Sequence, residues 1–228
     1  MHEFWQTLHP ASGIPSRGPF DGYYPAELGD GTELRLPIRV LPDGDHALCS
    51  LIVNQASFEV LDALASRLAS RLADYRPEVI VGLPTLGLTL ADAVARRLGH
   101  SRYVACGTSR KFWYEDQLSV PVTSVTTPVE KRLYLDPRML PLLEGRRVVL
   151  VDDVVSTGRS VVAGLGLLGR AGVVPVAVGC AMVQSERWRG EAALAGLGDR
   201  LVWVVASPRL CRGDVGWVAE EGGGAGLG

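Results

Sequence analysis

A chain of 228 residues has room for one sizeable α/β domain, or for a domain with a smaller appendage, and 47% apolar residues supply an ordinary globular core. A formal net charge of -2 argues against a general nucleic-acid binder, which would be clearly basic. No apolar run reaches membrane-span length, and Met1-His2-Glu3-Phe4-Trp5 lacks the basic-then-apolar pattern of a signal peptide, so a soluble cytoplasmic protein is expected.

In chain order, residues 1–30 are rich in Gly, Pro and aromatics and read as irregular chain packed on something else. Leu34, Leu36, Ile38 and Val40 alternate with Arg35 and Arg39, Asp43-Gly44 turns the chain, and Ala47 to Val53 returns, which predicts a β-hairpin. From Ser57 the period becomes helical. Val60, Leu61, Leu64, Leu68 and Leu72 form one face, Arg67, Ser70, Arg71 and Asp74 the other, and Pro77 closes the helix. A short strand at Val79–Val81 leads through Gly82 to Gly87 into a second helix, carried by Ala91, Val94, Ala95 and Leu98 and stopped at Gly99. Tyr103–Cys106 is the next strand.

Residues 107–141 break this rhythm and carry Arg110-Lys111, Phe112-Trp113-Tyr114, the polar run Thr123–Pro128 and Lys131-Arg132-Leu133-Tyr134. A stretch this long without helical period suits a lid or β-ribbon. Val148–Val151 is then a strand, Ser160–Arg170 a helix, and Val173–Val178 and Leu201–Val205 two further strands. This alternation predicts a doubly wound, mostly parallel sheet of about five strands. The expected division is a hood at 1–55, an α/β core at 56–210 with its lid at 107–141, and a tail at 211–228 that ends in a glycine-rich run. Gly164-Leu165-Gly166-Leu167-Leu168-Gly169 matches the glycine pattern of dinucleotide-binding proteins, but it lies inside a helix with no strand directly before it. Close packing of that helix on the sheet is the expected reason for its glycines. Cys49, Cys106, Cys180 and Cys211 lack metal-ligand spacing, and the first three sit in apolar strand-like runs that suit buried free thiols.

The most informative stretch is Val148 to Ser160. Apolar β-formers lead to Asp152 and Asp153, then to a loop of small, hydroxylated and glycine residues, then to a helix. Such a loop offers backbone N–H groups and hydroxyls to a phosphate at a helix N-terminus. Backbone amides of residues 155–159 and the hydroxyls of Ser156, Thr157 and Ser160 can wrap it, and Gly158 permits close approach. The loop Leu83, Pro84, Thr85, Leu86 and Gly87 stands at another strand-to-helix junction and can offer amides to a second anion.

The Val148–Ser160 block closely resembles the phosphoribosyl-diphosphate (PRPP) binding motif of the type I phosphoribosyltransferases: four apolar residues, two acids, then a loop ending Thr-Gly-x-Ser/Thr. The resemblance covers residues 57–180 and implies transfer of the 5-phosphoribosyl group of PRPP to a nitrogenous base, purine-like, giving a nucleoside monophosphate and pyrophosphate. It assigns Val154, Val155, Ser156, Thr157, Gly158, Arg159 and Ser160 to the 5′-phosphate, and Asp152 and Asp153 to the ribose hydroxyls, directly or through Mg²⁺. It assigns the 83–87 loop to pyrophosphate.

Arg110-Lys111 stands where the adenine and xanthine branch has an Arg-Lys pair facing pyrophosphate, so that branch is the nearest and Lys111 joins Asp152 and Asp153 as a catalytic candidate. Lys131, Arg132 or Tyr134 could reach the diphosphate from the lid, and a homodimer is plausible by the same resemblance. Ser156 occupies the position where 6-oxopurine enzymes commonly have an Asp that acts as a base, which argues against an enzyme of that type. The ending Leu133-Tyr134-Leu135-Asp136 only approximates the lid ending of adenine enzymes, with Glu130 and Asp136 the nearby acids. A non-catalytic PRPP-binding regulator is the alternative, although residues 1–55 show no helix-turn-helix pattern and no basic cluster.

Overall fold

The computed structural model describes residues 3–122 and 131–220. The lid's Thr123–Pro128 and Glu130, and the glycine-rich run at 222–228, lie outside the described residues. Five parallel strands form the central sheet in the order Leu201–Ser207, Ala177–Gln184, Val148–Val155, Val79–Gly82, Val104–Ala105. Helices Phe58–Leu72 and Gly87–Arg97 cover one face and Arg159–Arg170 the other, as a doubly wound fold requires. Among the described residues no helix is long and apolar enough to cross a membrane.

The first helix forms where its apolar period begins. Ser57 caps it, its hydroxyl accepting from the Val60 N–H at 3.2 Å, and Val60, Leu61, Leu64, Leu68 and Leu72 are buried against the sheet. Gly99, at φ 79, closes the second helix in the left-handed conformation that L-residues avoid. The strand expected at Val173–Val178 starts later, at Ala177. Gly172, at φ 71, turns the chain after the helix, and Val173 N–H still bonds back to Leu168. The apolar run 173–183 has no period to mark where turn ends and strand begins.

Above the sheet's carboxyl edge, the hairpin Thr32–Val40 and His46–Cys49 forms with Ile38 opposite Cys49. It belongs to a six-stranded antiparallel sheet that differs from expectation at both chain ends. Tyr23–Glu27, within the segment read as irregular, pairs with Thr32–Val40. Arg209–Arg212 pairs with His46–Cys49, and Trp217–Ala219 closes the edge. The expected tail at 211–228 is therefore corrected: residues 211–219 are part of the hood. These strands have three or four residues each, too short to show alternation.

The hood is not a separate body. Trp5, Phe20, Leu34, Leu36 and Leu51 share one apolar cluster with Leu64, Leu68 and Leu90 of the core. The stretch expected as a β-ribbon does pair, Ser119–Val122 with Lys131–Tyr134, and it docks on the Arg159–Arg170 helix, where Arg170 donates to the Ser119 carbonyl at 2.8 Å. Within that helix Gly164 is needed for packing, since a Cβ there would meet Leu150 and Leu83 at 2.9 Å; Gly166 and Gly169 face open space, so close packing explains only the first. Cys49, Cys106 and Cys180 are buried free thiols.

Ser57 carries two bonds, the helix cap and a donor bond to the Gln6 carbonyl at 2.8 Å. Ser57→Ala should cost about 1 kcal/mol, typical for a lost cap, and lower the melting temperature by roughly 2–4 °C. Calorimetry checks this; an unchanged transition would mean that the cap contributes nothing.

Candidate active site

The acid-bearing strand does not stop before its acids. It runs Val148–Val155, with Asp152 opposite Cys180 and Val155 opposite Val183. Asp is a poor strand former, but the neighbouring Ala177–Gln184 strand continues alongside and supplies ladder partners, so tertiary context overrides propensity. Asp152 is only 5% exposed and Asp153 is half-buried. The Asp153 N–H donates to Asp152 Oδ1 at 3.0 Å.

Burial pushes the Asp152 carboxyl well above the usual carboxylate range, and the neighbouring Asp153 charge adds to this. Asp153 is also raised by burial, while its bond with Asp152 pulls it back. The pair therefore binds a proton more readily than two surface carboxylates would, and that proton belongs to the pair.

After Val155 the chain turns through Ser156-Thr157-Gly158 into the Arg159–Arg170 helix. Gly158 sits at φ 83, and a Cβ there would run into Leu194, so glycine serves both the turn and the packing above it. Thr157 is half-buried, and Arg159 and Ser160 are exposed at the helix start. The loop is thus open to a ligand at the end of the helix where unpaired N–H groups gather.

The 83–87 loop adjoins the acids. Leu83 N–H donates to Val151 O at 2.9 Å, and the Pro84–Thr85 peptide is cis. Gly87 opens its helix directly against Asp152: a Cβ would lie 2.8 Å from Asp152 Oδ1 and 2.9 Å from Asp152 Cα. Only glycine lets the helix start approach the acid strand this closely. Two strand-to-helix loops and two carboxylates thereby meet at one point on the sheet's carboxyl edge.

The other expected residues stand differently. Arg110 pairs with Asp116 at 3.0 Å, and Lys111 is exposed beside Phe112. Arg132 donates to Ser119 Oγ at 2.9 Å within the ribbon, and Lys131 is exposed. Tyr134 is buried against Tyr114, with ring centroids 5.8 Å apart.

Two residues escaped the sequence reading. Gln184 ends the strand beside the acids; its side chain donates to the Cys49 carbonyl at 2.6 Å and accepts from Ser156 Oγ at 2.7 Å. Arg187 reaches back to donate to Ser156 Oγ at 2.8 Å. The available signal was positional: Gln184-Ser185-Glu186-Arg187 is polar chain at a strand's carboxyl end, the edge where ligands bind in such sheets.

Residues 50–195 match the family model described as phosphoribosyl transferase domain. The chain belongs to the phosphoribosyltransferase family. Adenine phosphoribosyltransferase of Paracoccus denitrificans is 32% identical over 179 residues, covering 75% of this chain and 90% of that one. The bifunctional protein PyrR of Trichormus variabilis is 33% identical over 123 residues, 52% of this chain; the chain spans 64% of that relative, just under two-thirds of its length. Among solved structures, adenine phosphoribosyltransferase from Giardia lamblia complexed with 9-deazaadenine shares the fold, at a TM-score of 0.58 and 22% identity over 75% of this chain and 93% of that one.

The carboxylate pair gives stability a definite slope with pH. Both carboxyls bind protons more tightly folded than unfolded, so folded protein holds more protons in that window and stability falls as pH rises. The loss should begin in the ordinary carboxylate range and run up through the raised folded values. Asp152→Asn removes one of the repelling charges, so the ligand-free variant should melt higher than wild type at pH 8 and gain less at pH 4. An equal gain at both pH values would mean that the pair is not strained by its charge.

Proposed function

We propose that this protein transfers the 5-phosphoribosyl group of PRPP to a purine-like nitrogenous base and releases pyrophosphate. The observation that carries the reading is the convergence of Asp152, Asp153, the Val154–Ser160 loop and the Leu83–Gly87 loop at one point. The Val154–Ser160 loop takes the 5′-phosphate on backbone N–H groups and on the Thr157 and Ser160 hydroxyls. The carboxylates hold the ribose 2′- and 3′-hydroxyls. The Leu83–Gly87 loop lies across the acid strand, where a leaving diphosphate needs donors.

In the reaction the bond from ribose carbon 1 to the diphosphate oxygen breaks as a base nitrogen bonds that carbon. The diphosphate leaves with the electron pair, and the displaced nitrogen proton goes to solvent. Bond breaking leads, so positive charge builds on the sugar and negative charge on the diphosphate. The protein's part is to orient the reactants and meet these charges with fixed groups. Asp152 and Asp153, as carboxylates, face the cationic sugar.

The donor set suits Mg²⁺. Two adjacent carboxylates offer oxygen ligands, and among the described residues no cluster of three His, Cys, Asp or Glu side chains would cage an ion completely. Magnesium takes few protein ligands and fills its remaining positions with water and phosphate oxygens. Bound by Asp152 and Asp153, it would neutralise charge on the diphosphate. The same ion would offset the burial and the repulsion that raise the pair's proton affinity.

Incubation with Mg²⁺, PRPP and a panel of purines and pyrimidines should release pyrophosphate with at least one base. Asp153→Ala should lower kcat/KM by on the order of a hundredfold, the scale of one electrostatic group in a transition state. PRPP binding without turnover on any base would instead favour a regulatory, non-catalytic protein.

A further inference from the structure

Four residues form a hydrogen-bonded chain whose direction is forced. The Cys49 carbonyl can only accept, so Gln184 must present its NH₂ to it, at 2.6 Å. That orientation turns Gln184 Oε1 toward Ser156, which spends its single hydroxyl proton there at 2.7 Å. Ser156 is left with lone pairs only, and one accepts from Arg187 Nη2 at 2.8 Å. Gln184 is buried, so the chain's polarity cannot be reversed by water.

Arg187 is fixed a second time. Its Nε donates to Ser185 Oγ at 3.3 Å, and Ser185 itself sits at φ 60, the backbone turn that sends Arg187 back over the loop. The guanidinium is exposed, and among the described residues no carboxylate pairs with it. Two neutral hydroxyls hold it without neutralising it. Its remaining N–H groups can meet only an acceptor, and its charge favours a negative or strongly dipolar one.

The location says which part of the ligand this is. Ser156 opens the phosphate loop, Cys49 ends a hood strand, and Gln184 lies between them. Arg187 therefore stands at the seam between loop and hood. The 5′-phosphate has donors of its own at the helix start beyond Gly158. What lies on the hood side of the ribose is the base.

We infer that Arg187 reads the incoming base, and that it selects a base presenting an oxo oxygen over one presenting an amino group there. The inference rests on the phosphoribosyl-transfer reading and narrows its substrate class. Ser156 does not read the base itself, because its proton is committed to Gln184.

Equilibrium binding tests this without requiring turnover. Inosine and adenosine 5′-monophosphate differ in an oxo for an amino group, as do uridine and cytidine 5′-monophosphate. In at least one pair the oxo nucleotide should bind on the order of tenfold tighter or more, the scale of a hydrogen bond to a charged group. Arg187→Met should erase that preference and leave ribose 5-phosphate affinity unchanged. Arg187→Lys, which keeps charge but not the fork, should restore part of it. Equal or tighter binding of the amino member in both pairs would overturn the inference. So would an Arg187→Met variant that loses ribose 5-phosphate as strongly as nucleotide, since Arg187 would then be a phosphate ligand. If ribose 5-phosphate and PRPP bind but none of the four nucleotides does, this inference fails, while base transfer is judged separately by pyrophosphate release across the base panel.

Discussion

Two carboxylates are held side by side where water reaches them poorly, and the site is arranged around that fact. The strand that carries them is paired on both sides up to Val151 and with Ala177–Gln184 through Val155, which holds the acids at the sheet's edge. Burial raises the proton affinity of both, and the charge of one adds to the cost of the other. In the proposed reaction, a cation or the ribose hydroxyls beside the pair would offset that cost.

Glycines set the distances around that pair. Gly87 lets a helix begin in contact with Asp152, and Gly158 lets the loop after Val155 turn beneath Leu194. Without the first, the 83–87 loop would stand off from the acids; without the second, the loop after Val155 could not close into its helix. The hood adds a third constraint through Gln184, which ties the Ser156 end of the loop to the Cys49 carbonyl. The loop after Val155, the acid-bearing strand and the hood are thus one mechanically linked unit.

Much of this was legible in the sequence. The 3.6-residue period of Val60 to Leu72, the Asp43-Gly44 turn and the apolar run into Asp152-Asp153 depend on local pattern, and all three appear in the fold. The strand's extension through Asp152 and Asp153 was not legible, because a neighbouring strand supplies the pairing. The late start of the Ala177–Gln184 strand and the hood strands at 209–219 were missed for similar reasons: an aperiodic apolar run, and segments too short to alternate. Gln184 and Arg187 were invisible because their partners are 28 to 135 residues away, and only sheet register brings them together.

The central claim is that Val154–Ser160 is the phosphate cradle beside the acid pair. Amide chemical shifts of the isotopically labelled protein, followed as PRPP is added with Mg²⁺, test it most directly. Large saturable shifts should appear at Thr157, Gly158, Arg159 and Ser160, accompanied by shifts at Leu83 to Gly87. Saturating PRPP that leaves these amides unmoved, or moves another region instead, would contradict it.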